Sequence, residues 1–458
     1  MTELALDRSV LKLAGVVVVG AITPLLDMTM VTVALARIVA DFGAPVVAVQ
    51  WVSAGYLLSI AVTIPTTGRL VERFGARAIW LTALAVFCGG SALCATSWSV
   101  GSLIAFRVLQ GLGGGMIVPL TMMIMVKAAG PDRRGRVMSL VAIPAQLAPI
   151  AGPLLGGVVV DALGWQWIFL VNVPIGLIAI ALAWRVVPAD AVRRSGGPDL
   201  LGLALVSPAI ALLVMSLSGT ATWPAAITGV ALLAAFVVRA LRTTTPLLDL
   251  RLFGHLPVTV AAVLNFLSRF SVFGAMLLMP LYLQQVRGHS ALEAGLLLAP
   301  QSLGTVLALP LVGRSTDRIG ARPVALAGVG ITVAATVAFT QVTATSSFVV
   351  LAIALLVWGI GIAAATVPVS VSAYHGLDPA DIPGATSLVT TVTTIGASAG
   401  AAAVTSILQS RLGHHVGDPA AAFADTFWWI LGLTAVTLLP ATLLPGRDRS
   451  GGRPPRAV

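Results

Sequence analysis

Long apolar runs constrain this chain more than any other feature. Runs long enough to cross a bilayer occur at about 11–35, 47–67, 79–97, 101–126, 137–160, 168–187, 200–219, 225–241, 258–283, 293–312, 323–343, 347–372, 385–408 and 426–445. In hydrocarbon every backbone N–H and C=O must be paired within its own segment, so a run of this length is a helix. The expected fold is an all-α integral membrane protein with 14 transmembrane helices. Charged residues make up 10% of the chain, whereas a soluble domain carries roughly a quarter. A net charge of +10 would point to nucleic acid in a soluble protein. Here the basic residues are scattered through short loops, which excludes that partner and makes them topology signals. Arg8 and Lys12 precede a run ending in Ala34-Leu35-Ala36, a pattern seen at signal cleavage sites. That run exceeds the roughly 7–15 apolar residues of a signal sequence, so it is read as the first span.

With the N-terminus in the cytoplasm, 22 basic residues fall inside and three outside, Arg37, Arg287 and Arg411. Arg107 and Arg269 lie within spans. This asymmetry predicts a multi-pass protein of the plasma (inner) membrane with both termini cytoplasmic.

The chain also repeats itself. The stretch Gly68 to Ala78, GRLVERFGARA, returns 245 residues later as GRSTDRIGARP, Gly313 to Pro323. A basic, glycine-punctuated loop at equivalent places in two hydrophobic halves is the mark of a duplicated transporter. Each copy follows the second span of its half, yet the copies are eight spans apart, where two six-helix halves would give six. Two extra helices, near 200–219 and 225–241, are therefore inserted. The expected organisation is an N-terminal six-helix half over 1–187 and a linker with two helices and an interfacial segment over 188–257. A C-terminal six-helix half follows over 258–445, with a cytoplasmic tail over 446–458. The linker helices carry no ionisable residue before Arg239, which suits a peripheral position. Residues 246–253, PLLDLRLF, are too short to span and are expected along the cytoplasmic surface.

Charges inside spans are costly, at least about 2.5–3.5 kcal/mol at mid-bilayer, unless they face protein or water. Asp27, Arg107 and Arg269 are such charges. Removal from water disfavours a charged carboxylate, so Asp27 is suited to taking up and releasing a proton; a permanent pair with an arginine is the alternative. Arg107 cannot be neutralised and either controls the Asp27 site or locks helices together. Gly111, Gly113, Gly114 and Gly115 follow it and allow close helix approach. They do not follow a strand, which argues against a nucleotide loop. Pro149, Gly152, Pro153, Gly156 and Gly157 suit either a gating hinge or tight packing. Asp27, Asn265 and Arg269 are expected to line one central substrate cavity, in which Arg269 faces substrate or pairs with Asp27. Glu293 suits an interfacial position, as do Trp165, Trp167, Trp428 and Trp429. Cys88 and Cys94, six apart in one run, are not expected to pair, and the isolated His414 and His415 are a weak basis for a metal site.

Together GRLVERFGARA, RVLQGLGGGMIVP, AGPLLGG, LLDMTMVTVAL, WQWIFLVNVPIG and LMPLYLQQVRGHSALEAG resemble the major facilitator superfamily, and within it the fourteen-helix drug:proton antiporters. The resemblance covers nearly the whole chain. It implies two six-helix halves plus two linker helices, and a monomer exporting small amphipathic drugs or secondary metabolites in exchange for protons. A bilayer and a proton gradient, with no cofactor and no metal, complete the expected requirements. Carried to this sequence, it implies Asp27 as the protonatable site and Arg107 as its coupling partner. It implies a conformational latch at Gly68, Glu72, Arg73, Gly75 and Arg77, repeated at Gly313, Asp317 and Arg318. An antiporter hinge is implied at Gly152, Pro153, Gly156 and Gly157. The chain departs from the family pattern at Glu72, where aspartate is usual, at Thr32 and Ala36, where asparagine and proline are usual, and at Ala148, where glycine is usual. A proton-coupled importer in the same fold stays open, while a membrane enzyme lacks any visible nucleophile, metal cluster or phosphate loop. With no carboxylate in the tenth span, high-affinity dication export is not expected, and Arg269 leaves neutral, zwitterionic or anionic substrates open.

Overall fold

The computed structural model describes residues 8–129, 151–188, 199–217, 219, 222–243, 246–373, 377 and 381–444, and among them every regular element is a helix. We number the main helices α1 (Arg8–Phe42), α2 (Trp51–Phe74), α3 (Ala76–Ala95), α4 (Val100–Ala129), α5 (Ala151–Leu163), α6 (Asn172–Val186), α7 (Leu200–Leu217) and α8 (Trp223–Arg242). There follow α9 (Leu256–Leu281), α10 (Ala291–Ile319), α11 (Ala321–Phe339), α12 (Phe348–Ser372), α13 (Ile382–His414) and α14 (Pro419–Val436). Among the described residues 12 segments are long and apolar enough to cross a membrane, while Ala151–Leu163 and Leu201–Leu217 are shorter apolar helices.

The packing repeats as the sequence does. In the first half α4 packs on both α2 and α3; in the second, α12 packs on both α10 and α11. Apolar burial cannot drive helices together in lipid, so close backbone approach at small residues takes its place. Gly113 is the clearest case in the first half: a Cβ there would lie 2.5 Å from the Ala83 carbonyl oxygen and the Phe87 nitrogen of α3. Gly111 and Gly115 of the same run face Tyr56, Ser59 and Ile60 of α2, and in the second half Gly359 meets Gln301. The repeated loop is a corner in both halves. Gly75 has φ 84° and Gly320 φ 92°, a region that side chains avoid. Each donates its N–H back to the preceding helix, at Val71 (2.8 Å) and Thr316 (3.0 Å).

The halves meet along α2–α13 and α5–α10. A Cβ on Gly157 would be 2.5 Å from Leu292 Cα, and one on Gly295 would be 2.2 Å from the Pro153 oxygen. Ser398 donates to the Ala54 carbonyl (3.0 Å), and Gln284 to that of Val33 (3.1 Å). Asp161, near the end of α5, accepts from the N–H groups of Ala291 (3.3 Å) and Leu292 (2.7 Å), which begin α10. These contacts lie from mid-helix to the face opposite the repeated loops. At the loop face, no described hydrogen bond or ion pair joins the halves.

Helices α7 and α8 pair with each other, and α7 lies on α13 and α2. Asp199 anchors them: it accepts from Gly202 N (2.9 Å), Arg239 Nε (3.1 Å) and Nη2 (2.7 Å), and Leu247 N (3.2 Å). The segment expected along the bilayer surface, residues 246–253, packs its leucines on these helices. Leu247, Leu248 and Leu252 are buried beside Phe236, Val258 and Leu388, because neighbouring helices offer its leucines a protein surface. Trp165 leaves the interfacial role, buried with its indole donating to Asp41 (2.9 Å). Cys88 and Cys94 are free and buried.

Burial works against the charge on Asp199, but hydrogen bonds from Gly202, the Arg239 guanidinium and Leu247 outweigh it and hold the carboxyl below its usual range. Its stabilisation is therefore complete above the unfolded-state pKa of about 3.9 and is lost as pH falls through the lower folded value. Asp199→Ala should cost roughly 1.5–3 kcal/mol at neutral pH, read as a lower melting temperature in detergent, with the gap from parent closing in acid. Gly113→Ala should cost about 1–3 kcal/mol through overpacking. Gly330→Ala, where a Cβ meets nothing within 4 Å, should melt like the parent.

Candidate functional site: a buried ion pair in the first half

The site begins at a missing backbone hydrogen bond in α1. Pro24 has no N–H to give the Gly20 carbonyl, and the Thr23 hydroxyl donates to that carbonyl instead (2.7 Å). One turn on, Asp27 is fully buried. Its Oδ2 pairs with Arg107 Nη1 of α4, and Arg107 is 1% exposed. Its Oδ1 accepts from Gln110 Nε2 (3.1 Å) and Asn172 Nδ2 (2.9 Å). Ser91 of α3 receives Asn172 Nδ2 (3.2 Å) and Gln110 Nε2 (2.9 Å) and donates to the Phe169 carbonyl (2.9 Å).

Arg107 is held on every side. Its Nε donates to the Val52 carbonyl (3.0 Å) and its Nη1 to Gln110 Oε1 (2.6 Å). The guanidinium lies 3.9 Å from the Tyr56 ring centroid and 5.4 Å from that of Phe169, a cation–π arrangement that is strongest where water is excluded. The Tyr56 hydroxyl returns to the Pro24 carbonyl (3.4 Å). The result is a closed polar cluster drawing on α1, α2, α3, α4 and α6. Deleting either charge would leave the other buried and uncompensated, at a cost of about 3–5 kcal/mol. One proton on Asp27 would also remove the charge that Arg107 needs.

The open alternatives for Asp27 are thereby narrowed: its partner is Arg107, and no described contact joins it to Arg269. Gln110, Asn172, Ser91 and Tyr56 escape a search for charges, although Gln110 lies one turn after Arg107 and Asn172 within NVPIG. Arg269 is exposed on α9, and no described residue pairs with it. Asn265 is buried, its amide donating to its own helix at Ala261 (2.9 Å).

The other expected groups are more dispersed. Pro149 lies outside the described residues. In α5 a Cβ on Gly152 would overlap Thr29, and one on Gly156 would lie 3.0 Å from Met30 Cα, so these glycines hold α5 against α1 beside Asp27. Pro153 and Gly157 face α10. At the loops, Arg77 donates to the Trp184 carbonyl with its guanidinium 5.3 Å from the Trp184 ring centroid, within the first half. Arg73 and Arg318 are exposed, and Gly313 has open space around it. The surroundings of Gly68 and the side chains of Glu72 and Asp317 are outside the described set. Glu293 and Ser290 form a capping box at the start of α10. His415 bonds Asp425 (2.9 Å), and no group of His, Cys, Asp and Glu among the described residues is arranged to hold a metal.

The sequence pattern of the Major Facilitator Superfamily matches residues 17–264 and 261–457. The chain is 38% identical over 424 residues to the multidrug resistance protein B homolog of Mycobacterium tuberculosis, covering 89% of this chain and 78% of that one. It is 32% identical over 412 residues to the tetracenomycin C resistance and export protein of Streptomyces glaucescens, covering 87% and 76%. Its fold is similar to that of the nucleoside transporter NupG, with a TM-score of 0.67 at 11% identity over 95% of this chain and 99% of that one. With matches in both halves and relatives of this closeness along most of its length, the chain belongs to the major facilitator superfamily, in its drug:proton antiporter family.

Proposed function

We propose that this protein is a proton-coupled antiporter that exports amphipathic drugs, antibiotics or secondary metabolites across the plasma membrane by alternating access. The observation that carries the coupling is the Asp27–Arg107 pair, the one ion pair among the described residues in which both side chains are almost wholly buried. A carboxylate so enclosed exchanges a proton only when its surroundings rearrange, and that links protonation to the conformational cycle. The relatives' names, multidrug resistance protein B homolog and tetracenomycin C resistance and export protein, support drug export.

In this reading the protein is a monomer with both termini cytoplasmic and the repeated loops on the cytoplasmic face. It has 14 transmembrane helices, counting α5 and α7, with the halves and linker bounded as the sequence suggests. The contacts between the halves then close the external side, and the loop face opens inward. Gly152, Pro153, Gly156 and Gly157 let α5 rock against α1 and α10. The repeated loops latch the cytoplasmic side when the external side opens. Asp27 releases its proton inward, substrate enters between the halves, the halves rock, and a proton taken up outside resets the pair.

Two measurements test this. In proteoliposomes, Asp27→Asn should abolish transport driven by a pH gradient while energy-independent substrate exchange persists, and Asp27→Glu should retain part of the coupling. Undiminished pH-driven transport by Asp27→Asn would remove Asp27 from the mechanism. Loss of the Asp161 carboxylate from the start of α10 should favour external opening by about 1.5–3 kcal/mol. Distances between spin labels at the end of α1 and the start of α10 in Asp161→Ala should accordingly shift toward a longer population.

A further inference from the structure

The proposed export reading leaves the cargo unspecified, and α9 carries a charge that the coupling cluster does not use. Arg269 falls midway along α9 (Leu256–Leu281). Phe273, one turn further, packs with Leu57 and Met28 of the first half, and Met276 lines a small cavity with Tyr56, Leu57 and Arg107. Residues 269, 273 and 276 share one helical face, whereas Phe266 and Phe270 meet α13 and Ser268 and Ser271 face α11, α12 and α14. Arg269 therefore faces the first half, on the side of Phe273 nearer the repeated loops. It is exposed there without a hydrogen bond or ion pair to any described residue.

No carboxylate among the described residues answers it. Asp27 is fully buried, and its two oxygens are taken by Arg107, Gln110 and Asn172. Among the described residues the space between the halves thus presents an uncompensated guanidinium on the helix face that also carries Phe273 and Met276. A guanidinium fork matches carboxylate, sulfonate and phosphate geometry, whereas a cationic drug would meet like charge and find Asp27 already paired. We propose that the transported substrate is an amphiphile bearing an acidic group, its apolar body between the halves and its anion seated on Arg269. Proton and anion do not share a carboxylate, so they compete through the rocking of the halves.

Anion export in exchange for a proton has an electrical signature. One proton in and one anion out move two charges inward per cycle. The limiting accumulation ratio then changes about a hundredfold for every ~59 mV of membrane potential. Exchange of a monovalent cation for a proton moves no net charge, and neither does uptake of the anion together with a proton.

The test uses three probes sharing one fluorophore: dansylglycine (anionic), dansylglycinamide (uncharged) and dansylcadaverine (cationic). Binding is titrated on the full chain in detergent, and transport is followed in proteoliposomes under imposed pH and potassium-diffusion gradients. Dansylglycine should bind and be transported at least tenfold better than the other two. Arg269→Gln should weaken dansylglycine at least tenfold while leaving dansylglycinamide unchanged, and Arg269→Lys should restore part of the loss. Equal or better handling of dansylcadaverine, or an equal loss of all three probes in Arg269→Gln, would overturn the anion assignment and leave export standing. Arg269-dependent dansylglycine transport that ignores membrane potential would keep the anion site and overturn the antiport reading.

Discussion

The buried pair of Asp27 and Arg107 is the interaction on which the first half depends. Two charges in a medium of low dielectric attract strongly but have each surrendered their water, so the pair persists only if remaining donors and acceptors are matched. Here they are. Gln110 and Asn172 serve the free carboxylate oxygen, Val52 and the Tyr56 face serve the guanidinium, and Ser91 ties both amides to the end of the loop before α6. Because these residues come from five helices, the packing of the half and the charge state of Asp27 form one problem. Pro24 and the small residues of α3 and α4 belong to the same solution, since Gly90 lets Gln110 approach until their backbones nearly touch.

The second half repeats the architecture without the chemistry. Its pairs α10–α12 and α11–α12 match α2–α4 and α3–α4, and its corner at Gly320 copies that at Gly75. Where the first half carries an ion pair, however, the second has serines and threonines around a small cavity at Ser268, Ser271, Thr332 and Thr434. Its charge, Arg269, faces outward toward the first half. Duplication thus kept the frame while the polar residues diverged, so that the buried ion pair is found in the first half and the serine and threonine cluster in the second. The seam between them combines backbone contacts at Gly157 and Gly295 and a few hydrogen bonds with apolar packing, in which Leu35, Val49 and Val52 of the first half share a buried cluster with Leu278, Leu281 and Leu298 of the second.

Much of this was legible in the residues. Apolar length marked the helices because hydrocarbon leaves the backbone no other partner. The GRLVERFGARA repeat marked the corners because glycine alone tolerates their backbone angles. The rarity of charge inside spans singled out Asp27, Arg107 and Arg269. Gln110, Asn172 and Ser91 were less visible, since neutral polar residues are tolerated in membrane helices and carry little signal singly. Residues 246–253 are ambiguous for a related reason. An amphipathic segment buries its leucines equally well in lipid or protein, and its sequence does not say which surface will be offered.

What the sequence by itself determined is the helical class, the duplication and the identity of the charges within the apolar runs. These follow from properties local to a segment or from comparing one segment with another. Only the tertiary structure decided which charge meets which. Asp27 and Arg107 lie 80 residues apart and Asp27 and Asn172 145 apart, and helix spacing says nothing of such distances. The contact depends on how α1, α4 and α6 rotate about their axes, which is set by glycine contacts summed over many neighbours. That rotation turns Asp27 into the protein, locks it to Arg107, and leaves Arg269 without a partner among the described residues.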